Sequence, residues 1–191
     1  LDVPVIIVGN IRVGGTGKTP TVLALAKELV ATGFKPGIIS RGYKAHINQP
    51  TEVNHDSQAT DVGDEPVLLA NELKTLNIPV WAFHDRVATA KALRASYPEV
   101  NVISSDDGLQ HYKLGRWPAR EGGHDIELVI RDARGEGNQF LLPAGPLRES
   151  ASRPRDFTFN LGLTESTGPY FQDAPNFDLE IKIGNIYHLK E

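Results

Sequence analysis

The chain has 191 residues, 40% hydrophobic and 23% charged, with a formal net charge of −4. That length supports one well-buried domain with the beginning of a second, and the acidic balance argues against general affinity for nucleic acid or an anionic surface. The absence of cysteine excludes disulfides and thiolate metal sites and fits a reducing compartment.

The chain contains no Met and begins on Leu1, so it reads as a processed product or a fragment. No signal-peptide pattern opens it, and no window has the apolar length of a membrane span. "VPVIIVGN" is a β-branched run ended by Gly9 and Asn10, which predicts a buried parallel strand. "KTPTVLALAKELVATG" carries Val22, Leu25, Ala26 and Leu29 at helical spacing and stops at Gly33. "KPGIIS" predicts a second strand, followed by the polar excursion "RGYKAHINQPTEVNHDSQAT". "GDEPVLLANELKTLN" is a helix with Pro66 suited to its first turn.

"IPVWAF" predicts a strand, "DRVATAKALRASY" a helix capped by Asp85, and "EVNVISSDD" a strand ending in two carboxylates. "GRWPAREGG" is a loop, "DIELVIRD" a strand, and "ARGEGNQFLLPAGPLRES" an irregular segment rich in Gly and Pro. "FTFNL", "FDLEIKI" and "NIYHL" are short strands. The alternation predicts an α/β fold, a mostly parallel sheet with helices on both faces, and "GGTGKT" after its first strand makes it the phosphate-loop NTPase type. Residues 1–155 form the expected phosphate-loop nucleotide-binding domain, and 156–191 a strand-rich segment leading toward a second lobe.

"GGTGKT" lies between a strand and a helix, the context a phosphate-binding loop requires. Gly14, Gly15 and Gly17 let successive N–H groups approach phosphate oxygens, and the following helix N-terminus adds partial positive charge. The expected ATP contacts are Arg12, Val13, Gly14, Gly15, Thr16, Gly17, Lys18 and Thr19, with Lys18 on the β- and γ-phosphates and Thr19 on Mg²⁺. Arg12 stands where the usual pattern has glycine. Val13 stands where partition-type ATPases carry a signature lysine, which argues against that class.

"VISSDDGLQH" supplies Asp106 and Asp107 at a strand end, where open α/β sheets bind ligands and where a carboxylate can hold Mg²⁺. In "GDEP", Asp64 and Glu65 either cap a helix or serve as proton acceptor and metal-facing acid. Ser40 to Tyr43, Arg86 and Arg148 are candidate anion contacts.

"VPVIIVGNIRVGGTGKTP", "SRGY", "GDEPVLLA", "DDGLQHYKL" and "LLPAGPLRE" occur together in this order. The set resembles the tetraacyldisaccharide 4'-kinases, the lipid A 4'-kinase family, from Leu1 to about Glu149. The resemblance implies transfer of the ATP γ-phosphoryl group, with Mg²⁺, to the 4'-hydroxyl of a tetraacylated, monophosphorylated glucosamine disaccharide. The setting it implies is the cytoplasmic face of the bacterial inner membrane.

Position by position, Lys18 and Thr19 match the phosphate-loop lysine and metal-binding threonine, and Asp64 the proposed base. Glu65 and Asp106 match acids near Mg²⁺. Asp107 joins Lys18 and Asp64 in the expected catalytic group, and Gln110 and His111 share its motif. Arg41, Arg86 and Arg148 match basic residues of the pocket.

Family members also carry an N-terminal helix that meets the membrane and a C-terminal lobe with a histidine partner for the base; neither is recognisable here. "WPAREGG" looks like an insertion, and "RES" stands where Arg-Glu-Pro is expected. Such a fragment is expected to bind nucleotide better than it catalyses. The rival readings are another small-molecule phosphate-loop kinase, which "LLPAGPLRE" argues against, and a non-catalytic nucleotide switch, for which no guanine-reading motif is evident.

Overall fold

In the computed structural model, which describes residues 1–162 and 174–180, the first apolar run forms strand β1, Val5–Gly9. It lies inside a sheet of eight strands among the described residues. The others are β2 (Pro36–Ser40), β3 (Thr51–Val53), β4 (Val80–Ala82), β5 (Val102–Asp106), β6 (Ile126–Asp132), β7 (Phe157–Leu161) and β8 (Asn176–Leu179). Their order is β3-β4-β2-β5-β1-β6-β7-β8, and every pairing is parallel except β3 with β4.

Alternation along β1 explains the layers. Ile6 and Val8 face one core, with Ile38, Val80, Val102 and Leu128 from neighbouring strands. Helix α1 (Lys18–Ala31) covers this side with Val22 and Ala26, and α3 (Asp64–Leu73) with Leu69, Ala70 and Leu73. Val5 and Ile7 face the opposite core, where α4 (Arg86–Ser96) contributes Ala90 and Leu93 and the loops contribute Leu109, Leu114 and Leu147. Helices therefore occupy both faces, as the alternating pattern predicts. Asp85 caps α4 as expected, its carboxylate accepting from the Val87 and Ala88 amides at 3.0 and 3.1 Å.

The polar excursion after β2 is less plain than its composition implies. It contains β3 and a single helical turn, α2 (Ala59–Val62). Neither buries a periodic apolar face: Val53 is the one buried residue of β3 and Val62 that of α2. Backbone pairing with β4 holds β3, and such pairing leaves no hydrophobic pattern to read. The predicted helix from "GDEP" ends at Leu73, where the chain tightens into a 3-10 turn, Lys74–Leu76.

Past β6, β7 and β8 continue the same sheet with parallel pairing. β8 realises the start of "FDLEIKI"; residues 181–183 of that run and "NIYHL" lie outside the described residues. Among the described residues no helix is long and apolar enough to cross a membrane.

The topology positions the site. β1 connects through α1 toward β2 on one face. The chain leaving β5 crosses the other face toward β6, where Leu109 and Leu114 pack. The two connections diverge between adjacent strands, opening a crevice at their carboxyl ends. The register sets Val8 beside Asp106, so the glycine-rich loop and the acid pair emerge side by side.

Candidate active site

Between β1 and α1 the chain wraps through Asn10–Gly17. Gly14 has φ 100° and Gly17, the N-cap of α1, has φ 77°; both conformations suit glycine. No side chain caps α1, which leaves its first-turn N–H groups open to an anion. Lys18 is buried, its Nζ 3.5 Å from Asn10 Oδ1 and 3.8 Å from Asp107 Oδ1. Asn10 Nδ2 in turn donates to the Gly14 carbonyl at 3.3 Å.

The loop is strapped from outside by the "LLPAGPLRE" segment. The Val13 amide donates to Pro146 O at 3.0 Å and the Arg148 amide to Ile11 O at 2.7 Å. Arg12 turns away from the cleft and donates to the Arg134 and Gly135 carbonyls at 3.3 and 3.0 Å. Arg134 reaches back to Gly15 O at 2.6 Å. The arginine in place of the usual glycine thus has a structural task, clasping the 134–135 turn.

β5 delivers the acid pair in two environments. Asp106 is 1% exposed and both its carboxylate oxygens lack a hydrogen-bond partner. Asp107 adopts φ 46° and swings into the cleft, where Arg148 Nη1 donates to its two oxygens at 3.3 and 3.4 Å. The same Arg148 nitrogen lies 3.3 Å from Gln110 Oε1. Gln110 Nε2 donates to Asn10 O at 3.2 Å and to Glu149 Oε1 at 2.6 Å, tying the acid loop to the phosphate-loop entrance.

Gly63, with φ 96°, brings the "GDEP" helix onto "SRGY": a Cβ there would stand 3.2 Å from Gly42 Cα. Gly63 itself is the N-cap, so neither Asp64 nor Glu65 is spent on capping α3. Both face a cleft of about 560 Å³ lined also by Gly14, Gly15, Lys18, Arg41, Tyr43, Asp107, Gln110, His111 and Arg148. Thr19 lies half-buried in the first turn of α1, Thr16 is buried beneath the loop, and Asp106 and Arg86 sit behind the wall. Val13 is exposed on the outer side.

Burial drives the electrostatics. It pushes the Asp106 carboxyl up to about 7, with the Glu65 charge adding and Arg86 opposing. Burial also raises Glu65, against Lys18 and with help from Asp107 and Asp64. Arg86, 2% exposed, is lowered to about 10 by burial and stays charged at neutral pH. Its Nη2 donates to Asp106 O at 2.5 Å while Nε and Nη1 lack partners. Burial, then the Arg86 and Arg41 charges, bring His111 down to about 4, so its imidazole is neutral at pH 7.

This donor set suits a hard divalent cation. All the acidic donors are oxygens, and the bare Asp106 carboxylate and raised Glu65 both favour a nearby positive charge. Among the described residues no three acidic or His side chains form a metal cage.

Of the residues expected from sequence, the cleft gathers Gly14, Gly15, Lys18, Arg41, Asp64, Glu65, Asp107, Gln110, His111 and Arg148. Arg12, Val13, Thr16, Gly17, Thr19, Arg86 and Asp106 do not line it. Sequence reading took Asn10 as a strand terminator and passed over Glu149 and Arg134. The bonds from Gln110 to Asn10 O and Glu149 and from Arg134 to Gly15 O join segments far apart in the chain, and no local signal reports them.

The model of the LpxK family, tetraacyldisaccharide-1-P 4'-kinase, matches residues 1–178. A tetraacyldisaccharide 4'-kinase from Polynucleobacter asymbioticus is 55% identical over 195 residues, covering 98% of this chain and 53% of the relative. One from Dechloromonas aromatica is 45% identical, covering 99% of this chain and 54% of the relative. The chain thus spans about half the length of the curated relatives it matches. The crystal structure of LpxK from Aquifex aeolicus in complex with ATP superposes with a TM-score of 0.74 at 32% identity, covering 93% of this chain and 54% of that one. FlhF complexed with GMPPNP and Mg²⁺ shares the fold alone, with a TM-score of 0.50 at 12% identity over 84% of this chain and 56% of that one. On the family match and these identities, the chain belongs to the tetraacyldisaccharide-1-P 4'-kinase family.

Proposed function

We propose that this chain is the nucleotide-binding part of an enzyme that transfers the ATP γ-phosphoryl group to the 4'-hydroxyl of a tetraacyldisaccharide 1-phosphate in lipid A biosynthesis. One observation carries the reading: Lys18, Asp64, Glu65, Asp107 and Arg148, from four distant stretches, share a single cleft. Phosphoryl transfer asks a protein mainly for positioning and charge neutralisation, and this group offers both.

The nucleotide phosphates lie along the amides of Gly14–Thr19, with the Lys18 ammonium leaving Asn10 and Asp107 for the β- and γ-oxygens. Thr19, Glu65 and Asp106 would hold Mg²⁺, which neutralises charge on those oxygens when bound. Asp64 accepts the proton of the attacking hydroxyl as the new oxygen–phosphorus bond forms. The bond from the γ-phosphorus to the bridging oxygen breaks, and ADP departs with that oxygen. A sugar hydroxyl is a weak acid, so the carboxylate matters chiefly in the transition state.

Arg148 and Asp107 orient each other beside the reacting phosphate. Arg41 adds positive charge at the mouth, and buried Arg86 adds it from behind the wall. Neutral His111 can hydrogen-bond the acceptor without a further charge. An acylated acceptor implies work at a membrane surface, on the cytoplasmic side where ATP is supplied. The test is transfer from γ-labelled ATP by the full-length enzyme of which this chain is the proposed part. Label at the 4' position of the acylated disaccharide is expected; label released only to water, or only to another acceptor, overturns the reading.

A further inference from the structure

Below the cleft, and outside it, lies a buried ion-pair cluster that the reaction does not touch. Glu127 sits on β6 in register with Ile7 of β1, and its side chain is 3% exposed. Its carboxylate accepts from Arg116 at 2.8 Å and Arg153 at 2.7 Å and forms an ion pair with Arg120 at 3.0 Å. Despite burial, which opposes ionisation, these guanidiniums hold Glu127 below the usual carboxylate range. A fixed anion therefore stands in the middle of the sheet.

We propose that Arg116, anchored by Glu127, is the positioning residue that sets the acidic loop at the end of β5. Its Nη2 donates to three carbonyls of that loop, Gly108 O at 2.7 Å, Leu109 O at 3.0 Å and His111 O at 3.4 Å. The loop needs such a clasp. Asp107 enters it in the left-handed region, and its own backbone bonds are sparse: the Gly108 amide on Val8 O, His111 on Gly108 O and Leu114 on His111 O. Only a planar, forked cation can take the anchor with one nitrogen and three converging carbonyls with another; lysine offers a single compact charge.

A second arm leaves the same anchor. Arg153 donates to Glu149 at 2.5 Å, and Glu149 accepts from Gln110. One buried carboxylate thus holds the loop's backbone at one remove, through Arg116, and the Gln110 side chain at two, through Arg153 and Glu149. Arg116 lies outside the cleft and acts through the loop alone. What the loop does rests on the kinase reading; how it is held does not.

The test compares Arg116→Lys with Arg94→Lys in the full chain. Arg94 makes the same kind of clasp, on Tyr97 O, Pro98 O and Val100 O with Asp2 as anchor, at the amino-terminal end of the sheet. In protein free of nucleotide and metal, Arg116→Lys should speed amide exchange of Gly108, His111 and Leu114 by about tenfold or more, while Arg94→Lys leaves them unchanged. In Mg·ATP titrations the Mg²⁺ dependence should weaken about 10- to 100-fold for Arg116→Lys only.

Equal exchange and equal Mg²⁺ dependence in the two variants, at matched thermal stability, overturn the proposal. If Arg116→Lys does not fold, Glu127→Gln keeps the shape, removes the anchoring charge and must move the same amides; unmoved amides overturn the proposal. A wild-type protein that binds no Mg·ATP sinks the kinase reading. The exchange comparison then still decides the clasp.

Discussion

The Lys18 ammonium stands 3.8 Å from the Asp107 carboxylate, across the junction of the first helix and the fifth strand. Adjacent parallel strands bring these residues together, since β1 and β5 pair with Val8 beside Asp106. Asn10 and Asp107 hold the lysine in place, and the same acid pairs with Arg148, so two cations are aligned on one carboxylate. In the proposed function the terminal phosphate would take the place of these acceptors.

Removing that ammonium should weaken nucleotide binding strongly. A hydrogen bond involving a charged group contributes about 1.5–3 kcal/mol, so Lys18→Ala should raise the Kd for Mg·ATP by roughly 10- to 150-fold. Calorimetric titration measures it. An unchanged Kd would remove Lys18 from the phosphate site.

Asp64 should separate chemistry from binding. In the full chain, Asp64→Asn is expected to cut kcat by about 10²- to 10⁴-fold, the usual contribution of a positioned base. ATP affinity should stay within about threefold. Steady-state kinetics with a binding titration distinguish the two. Undiminished turnover rules out the base assignment.

The buried acid predicts a specific pH dependence of stability. Asp106 is raised from 3.8 to about 7 in the folded protein, so the native state binds its proton more tightly than the unfolded chain. Its stabilising contribution is full below 3.8 and disappears as pH rises toward about 7. His111, lowered from 6.5 to about 4, acts in the opposite sense and favours the native state as pH rises through that window. Urea unfolding across this range should therefore show stability rising more with pH in Asp106→Asn than in wild type. The divergence should be on the order of a few kcal/mol. Parallel curves would show that Asp106 titrates normally.

The same acid links metal binding to protons. If Mg²⁺ is held by Asp106, loading Mg·ATP near pH 6.5 must displace a proton that the nucleotide-free protein carries. Calorimetry in two buffers of different ionisation enthalpy should register that release in wild type and lose it in Asp106→Asn. Equal release in both proteins would exclude Asp106 as the source.

The turn after the acid pair should tolerate no side chain without a cost. A Cβ on Gly108 would lie 2.5 Å from Ser105 Oγ and 3.0 Å from Ile7 Cγ2, deep in the second core. Gly108→Ala is expected to destabilise by about 1–3 kcal/mol through overpacking, with Tm falling roughly 2–4 °C for each kcal/mol. A thermal melt at wild-type Tm would show that Ser105 and Ile7 can move aside.

Much of this protein is legible in one dimension because its signals are local. The four β-branched residues Val5 to Val8, the glycines that admit positive φ at Gly14 and Gly17, and the Asp85 cap each act within a few residues. Such interactions leave their mark on neighbouring letters, and strands alternating with helices then require a parallel sheet. The linear chain thus determined the α/β class, the phosphate loop and the candidate acids.

Tertiary structure alone decided which of those acids open into the cleft and which lie beneath it. Asp106 and Asp107 are consecutive and chemically identical. The left-handed turn at Asp107 exposes one to Lys18 and Arg148 while the sheet buries the other. It also decided the roles of Asn10, Glu149, Arg116 and Glu127: Gln110 bonds Asn10 across 100 residues and Glu149 across 39, and Arg116 bonds Glu127 across 11. Long-range hydrogen bonds depend on strand order and register, and neither is written in any local stretch of residues.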